Sequence, residues 1–321
     1  MTNMKILVTG AAGFIGSHLS ERLKSLGHDV VGIDNFNTYY SPELKKLNAK
    51  DLEEQGVTVE MRDLAADDLT DILEGVEAVF HLAAQPGISA ATPFDTYLRN
   101  NLVATHNLLE AVRKIDIKMF INISTSSVYG MHATEDETTS PKPTSYYGVT
   151  KLAAEQLALS YHRDKNLPVA SARLFSVYGE RERPEKLFPK LIYSILKEEP
   201  FPLHRGSQKH ARSYTYVGDI VDGLVLIMDK FDACNGEIFN LGIDQSMTTG
   251  DAIKIVEKLL GKKAIFENKP KRPGDQKETY ADISKAIRVL GYHPLTTPKQ
   301  GLEKEVKWFK EKIWKKIELY Q

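Results

Sequence analysis

The sequence predicts an α/β protein, a doubly wound parallel sheet joined to a smaller, interleaved α/β domain. Three observations lead there. Short apolar runs alternate with amphipathic segments through the first half. A glycine-rich turn separates the first such run from the first helical pattern. After Phe175 the alternation gives way to a texture rich in proline and arginine. Strands and helices alternating at this spacing are the pattern of parallel crossover units.

Taken in order, Lys5 to Thr9 reads as a strand and Phe14 to Leu26 as a helix ending at Gly27. Further strands are expected at Val30 to Asp34, Val57 to Arg62, Ala78 to Leu82, Met119 to Ser124 and Val169 to Phe175. Helices are expected at Asn101 to Arg113 and at Tyr147 to Asp164. Beyond Phe175, Arg181, Arg183, Pro184, Pro189, Pro200 and Pro202 break the regular pattern. A strand at Glu237 to Leu241 and helices near Gly250 to Leu260 and Ile283 to Leu290 follow. The expected division is residues 1–175 as one domain, with part of 217–246 returning to it, and 176–321 as mainly the second.

Composition narrows the function classes. A chain of 321 residues, 42% hydrophobic and 26% charged, is an ordinary soluble globular protein. Its net charge of -1 gives no reason to expect a nucleic-acid partner. The single cysteine, Cys234, excludes an internal disulfide framework and fits a reducing compartment. The chain enters a strand-like run at Met4 without a leader-like segment, and no apolar stretch approaches membrane-spanning length. A cytoplasmic protein without a membrane partner or a metal is expected.

The turn Gly10-Ala11-Ala12-Gly13-Phe14-Ile15-Gly16 follows a strand and opens a helix. That is the setting of a dinucleotide cradle. Gly10 permits the tight turn, Gly13 lets the backbone approach a pyrophosphate, and Gly16 lets the helix pack closely. The helix N-terminus offers free N–H groups and a positive dipole end to phosphate. The spacing is GxxGxxG, and alone it is also what a plain strand–turn–helix would show. Asp34 adds weight: at the end of the second strand a carboxylate accepts both adenosine ribose hydroxyls and repels a 2′-phosphate. NAD is therefore expected over NADP. Asp63 and Leu64, at the end of the next strand, are candidates to meet the adenine amine.

Tyr147 and Lys151 stand four residues apart at a helix start and so share a face. An ammonium and a positive nicotinamide ring beside a phenol would lower its pKa towards use as a general base. Ser124 to Gly130 lies where a strand ends, the place where ligands bind open α/β sheets. Thr125 is placed to polarise a reacting oxygen there; turn chemistry is the alternative.

At these motifs the chain resembles an extended short-chain dehydrogenase/reductase, and within that group a nucleotide-sugar 4-epimerase. The matching stretches are LVTGAAGFIGSHL, GIDNFN, HLAAQ, STSSVYG, SYYGVTKLAAE, RSYTYVGDIVDG and KRPGDQKETYADISKA, nearly the whole chain. The resemblance implies a Rossmann fold, NAD as cofactor and a UDP-sugar as substrate. It implies Tyr147 as base, Lys151 as its partner and Thr125 as third member. Gly10, Gly13, Phe14, Ile15, Gly16, Asp34, Asp63, Leu64, Ala83, Gln85, Tyr147 and Lys151 would contact the cofactor, with Asn101 supporting the helix. Arg212 and Arg272 match positions that bind the diphosphate, where a planar guanidinium suits phosphate oxygens.

Segment GERERPEKLFP resembles the loop of UDP-glucuronate 4-epimerases whose arginine meets the sugar carboxylate, here Arg183, with Thr125, Ser126 and Ser127 nearby in function. Decarboxylases of the group carry glutamate where this chain has Ser127. The 4,6-dehydratases carry an acidic pair where it has Ser126 and Ser127. The expected reaction is therefore NAD-dependent 4-epimerisation of UDP-glucuronate to UDP-galacturonate. A neutral UDP-glucose/UDP-galactose 4-epimerase, a UDP-glucuronate decarboxylase and a non-catalytic NAD-binding sensor remain alternatives. The resemblance also implies a homodimer built on two helices per subunit, one bearing Tyr147.

Overall fold

In the computed structural model, which describes residues 3–89, 91–271 and 278–320, the apolar runs of the first half become strands, the central ones buried and the edge strand at Thr58–Met61 largely exposed. In chain order these elements are β1 (Lys5–Thr9), α1 (Phe14–Ser25), β2 (Asp29–Asp34), α2 (Pro42–Glu53), β3 (Thr58–Met61) and β4 (Ala78–His81). Then come α3 (Phe94–Tyr97), α4 (Ala104–Val112), β5 (Met119–Thr125), α5 (Tyr146–Lys165) and β6 (Val169–Leu174). The later chain adds β7 (Val177–Tyr178), α6 (Leu187–Lys197), β8 (Phe201–His204), β9 (Ala211–Arg212), β10 (Thr215–Tyr216), α7 (Val217–Asp229), α8 (Phe231–Cys234) and β11 (Ile238–Leu241). It closes with β12 (Met247–Thr248), α9 (Thr249–Leu260), β13 (Phe266–Lys269), β14 (Glu278–Thr279), α10 (Ser284–Leu290) and α11 (Pro298–Trp308).

Among the described residues, seven parallel strands form one sheet in the order β11-β6-β5-β4-β1-β2-β3. Successive residues of a strand point to opposite faces. Ile6, Val8, Phe80 and Ile121 accordingly enter one apolar cluster, and Leu7, Val79, Phe120 and Val169 the other. Both faces are covered, as a parallel sheet requires. The strand order reverses between β1 and β4, which opens a crevice beyond their C-terminal ends.

Three differences from the sequence reading have physical causes. The helix expected from Asn101 starts at Phe94 and passes through a π-helical turn, Leu98–Val103, before α4. The proline-rich stretch after Phe175 still contains a long helix, α6. Its Pro189 sits in the first turn, where a missing N–H removes no helical bond. Helix α7 escaped notice because Leu224 to Met228 is apolar all round and shows no period. Strand β11 pairs with β6, so this late segment forms the edge of the central sheet.

Helix α5 is set by Ser145, whose hydroxyl accepts from the Gly148 N–H at 3.1 Å, and ends at Asn166 in the left-handed region. Its buried face carries Glu155 against Arg173 of β6, with two hydrogen bonds of 2.9 and 2.7 Å. Arg173 also donates to the Tyr129 hydroxyl at 2.8 Å, and that hydroxyl donates to Asn240 on β11 at 2.9 Å. Both partners of the ion pair are sealed from solvent. Removing one strands the other as a buried charge. Glu155→Ala is expected to lower the unfolding free energy by about 3–5 kcal/mol in urea denaturation. A loss below about 1 kcal/mol, the worth of an exposed pair, would contradict this reading.

Candidate active site

The crevice is built by the turn after β1. Gly10 takes φ +70°, and its N–H donates to the Ile33 carbonyl at 2.8 Å. A Cβ on Gly10 would lie 2.9 Å from the Ala83 nitrogen, and one on Gly16 would lie 2.2 Å from the Gly10 carbonyl oxygen. The turn is therefore pressed between β4 and its own helix. At Gly16 the close contact is with the turn itself. Gly13 is the N-cap of α1, with no side chain capping it and no acidic residue in the first turn. Phe14 and Ile15 follow as the first helical residues. The first N–H groups of α1 have no intrahelical acceptor, the setting in which a helix start meets an anion.

Asp34 is buried at the end of β2. Burial pushes its carboxyl up, opposed by the Lys45 ammonium at 3.9 Å and by the Phe36 N–H at 2.8 Å. Lys45, itself buried, also donates to the carbonyl and side-chain oxygens of Asn37. Nothing in the sequence marked Lys45. Asp63 is differently placed. Burial pushes its carboxyl up, but the Arg99 fork, at 3.0 and 3.2 Å, and the Ala65 N–H outweigh it and hold it low. Leu64 is buried and its carbonyl accepts from Asn107.

Gln85 is buried beside β4, and its N–H donates to Asn101 at 2.6 Å. Asn101 in turn donates to the Thr150 hydroxyl of α5 at 3.0 Å. The π-helical turn thus ties the loop after β4 to the helix bearing Tyr147. The Gln85 side-chain nitrogen is buried without a partner. His81 bridges the Thr9 and Thr105 hydroxyls at 2.8 and 2.9 Å, and burial drives its pKa down to about 3, so it stays neutral.

Thr125 ends β5 and accepts from the Ser127 N–H at 3.2 Å, opening the short turn Ser126–Tyr129. Burial raises the Tyr147 pKa, and the neighbouring Thr125 hydroxyl and the Arg183 charge oppose it. The opposing charge thus comes from Arg183, where the sequence pointed to Lys151. Lys151 is buried, which drives its pKa down to about 8, with the Glu155 carboxylate holding it up.

Arg183 stacks over the Tyr39 ring at 5.3 Å and pairs with Glu185 at 2.9 Å. Both its terminal nitrogens lie 3.5–3.7 Å from the place a Cβ on Gly87 would take. The Gly87 carbonyl accepts from Tyr97 at 2.6 Å, and the Tyr97 ring stands 6.3 Å from that of Tyr147. Arg183 and Tyr147 are thus brought to one place. The loop carrying Arg183 is fixed to the nucleotide side: the Glu180 carbonyl bonds His18 at 2.9 Å, and Arg181 pairs with Glu21 at 2.7 Å. Arg212 lies on β9 between Met247 and Thr279, and its charge reaches Lys186 in the same loop. Arg272 lies outside the described residues.

A model of the NAD dependent epimerase/dehydratase family matches residues 6–242. The chain belongs to that family. It is 41% identical over 309 residues to an uncharacterized UDP-glucose epimerase, YtcB, of Bacillus subtilis, covering 94% of this chain and 97% of that one. It is 34% identical to UDP-glucuronate 4-epimerase 4 of Arabidopsis thaliana, over 95% of this chain and 75% of the relative. The solved UDP-glucuronic acid 4-epimerase of Bacillus cereus, in complex with UDP-glucuronic acid and NAD, superposes with a TM-score of 0.89 at 39% identity. That match covers 96% of this chain and 99% of the other.

The residues of this family member fit the cofactor. The uncapped start of α1, the buried Asp34 carboxylate at the end of β2 and the orphaned Gln85 amide after β4 all lie on elements that border the crevice. Among the described residues no cluster of metal-ligating side chains occurs, and no helix is long and apolar enough to cross a membrane. Lys151 should titrate near pH 8, charged below and neutral above, so a function needing its ammonium fades as pH rises through 8. Carbon-13 NMR of the lysine ε-methylenes, with Lys151→Met for assignment, reads this directly. A midpoint at the ordinary 10.5 would contradict the burial argument.

Proposed function

We propose that this protein interconverts UDP-glucuronate and UDP-galacturonate by inverting C4. The observation that carries the proposal is Arg183, a largely buried guanidinium whose charge acts on the Tyr147 phenol. A cation held next to the candidate base suits a sugar with an anion at C6, two carbons from the reacting centre. The names of the Bacillus cereus and Arabidopsis relatives support the same substrate. The name of YtcB supports a neutral sugar instead, and is the reason to test both.

We assign Gly10, Gly13, Phe14, Ile15 and Gly16 to the NAD pyrophosphate, Asp34 to the adenosine ribose, Asp63 and Leu64 to adenine, and Ala83, Gln85 and Lys151 to the nicotinamide end. The chemistry the cofactor supplies there, when bound, is acceptance and return of the C4 hydride. Tyr147 takes the proton of the 4-hydroxyl and later restores it. The Thr125 hydroxyl beside the phenol and the Lys151 ammonium are assigned to favour the phenolate. Ser126 and Ser127 offer hydroxyls to the sugar without an acid to protonate or deprotonate it. Arg212 is assigned to the diphosphate, as is Arg272.

The carboxylate needs a fixed grip because a C4 ketone of a uronic acid is a β-keto acid. It loses carbon dioxide when the bond to the carboxylate aligns with the carbonyl π system. Arg183 holds that bond away from alignment while the ring turns over. A homodimer is also proposed. Helices α3 to α5 expose Phe94, Val103, Tyr146 and Val149, and the Phe94 and Tyr146 rings touch at 5.3 Å. Exposed apolar side chains gathered on neighbouring helices suit a second copy.

Purified protein incubated with UDP-glucuronate and followed by proton NMR should yield UDP-galacturonate and no UDP-pentose. Tyr147→Phe should slow this by about 10²–10⁴-fold. Conversion of UDP-glucose with inert UDP-glucuronate would move the assignment to the neutral-sugar reaction. Tyr146→Glu together with Val149→Glu should convert a dimer to a monomer in light scattering; an unchanged mass would place the interface elsewhere.

A further inference from the structure

The Arg183 side chain is 13% exposed and that of its partner Glu185 is 46% exposed. The two differ in what separation does to each. Glu185 can swing into water at little cost, whereas Arg183, packed on Tyr39 and against Gly87, stays where it is. Their contact is also imperfect. The charges meet at 2.9 Å, yet Nη1 of Arg183 is buried and makes no aligned hydrogen bond. A buried guanidinium N–H without an aligned acceptor is an incomplete interaction, and a charged acceptor supplies the strongest completion.

We propose that Glu185 is a specificity-determining residue whose carboxylate competes with the C6 carboxylate of the sugar for Nη1 of Arg183. The inference rests on the uronate reading above. A uronate exchanges one carboxylate for another and leaves Arg183 neutralised throughout. A neutral sugar offers no charge in exchange, so Arg183 remains with Glu185 and contributes nothing to its binding. The competition therefore favours anionic substrates by what they replace, while moderating their affinity so that an anionic product can leave. Position matters as well as charge: Glu185 stands two residues beyond Arg183 with Pro184 between, which limits how far its backbone can follow.

The test compares wild type with Glu185→Gln on UDP-glucuronate and on UDP-glucose, measuring KM and kcat for each and, by calorimetry on the NAD-loaded protein, the dissociation constant of UDP-glucuronate. Removing the competitor should lower KM and the dissociation constant for UDP-glucuronate by about two- to fivefold, the worth of a partly exposed ion pair. The constants for UDP-glucose should stay put. Unchanged or weakened UDP-glucuronate binding in the variant, with wild type still converting it, overturns the role of Glu185 alone. An equal change for both sugars does so too, since it marks a general effect on the loop. A wild type that does not convert UDP-glucuronate overturns the uronate reading and this inference with it.

Discussion

Charge burial at the C-terminal edge of the parallel sheet is the constraint from which the rest of this molecule follows. With both faces of the sheet covered, polar chemistry has space mainly beyond the strand ends. Charged side chains gathered there must be paired or lose their charge. Asp34 faces Lys45, Glu155 faces Arg173, and Arg183 faces Glu185. Lys151 has no partner within ion-pair distance among the described residues, and burial drives its pKa down to about 8.

The second constraint is steric. Backbone can approach phosphate only where side chains stand aside. Gly10 and Gly16 let the turn close tightly on β4 and on its own helix, where a Cβ would strike backbone. Gly32 completes the arrangement, since a Cβ there would lie 2.5 Å from the Ala11 side chain. The cradle is thus packed from three sides. The loop bearing Arg183 is then tied to α1 through His18 and Glu21, which couples the sugar end of the site to the nucleotide end.

Much of this was legible in the sequence because it is local. The glycine turn, the strands from Lys5 to Leu174, and the Tyr147 and Lys151 pair depend on spacing along the chain. What escaped depends on contacts between distant segments. Lys45, eleven residues after Asp34, carries no mark that it would be buried with it. Glu155 and Arg173 look like surface charges until α5 is laid on β6. Tyr39 and Gly87 sit in loops after β2 and β4, and only the fold brings them around Arg183. Helix α7 was missed for the opposite reason: an element covered on most sides loses the periodicity that announces a half-buried one. Asp63, a candidate for the adenine amine, also pairs with Arg99, whose position no local pattern predicts.

In the proposed reaction one hydrogen leaves C4 of a uronic acid and returns to its opposite face without exchanging with water. UDP-glucuronate carrying deuterium at C4, converted in ordinary water and analysed by NMR and mass spectrometry, tests this. UDP-galacturonate that keeps its deuterium at C4 is expected. A product in which solvent hydrogen has replaced that deuterium would contradict it.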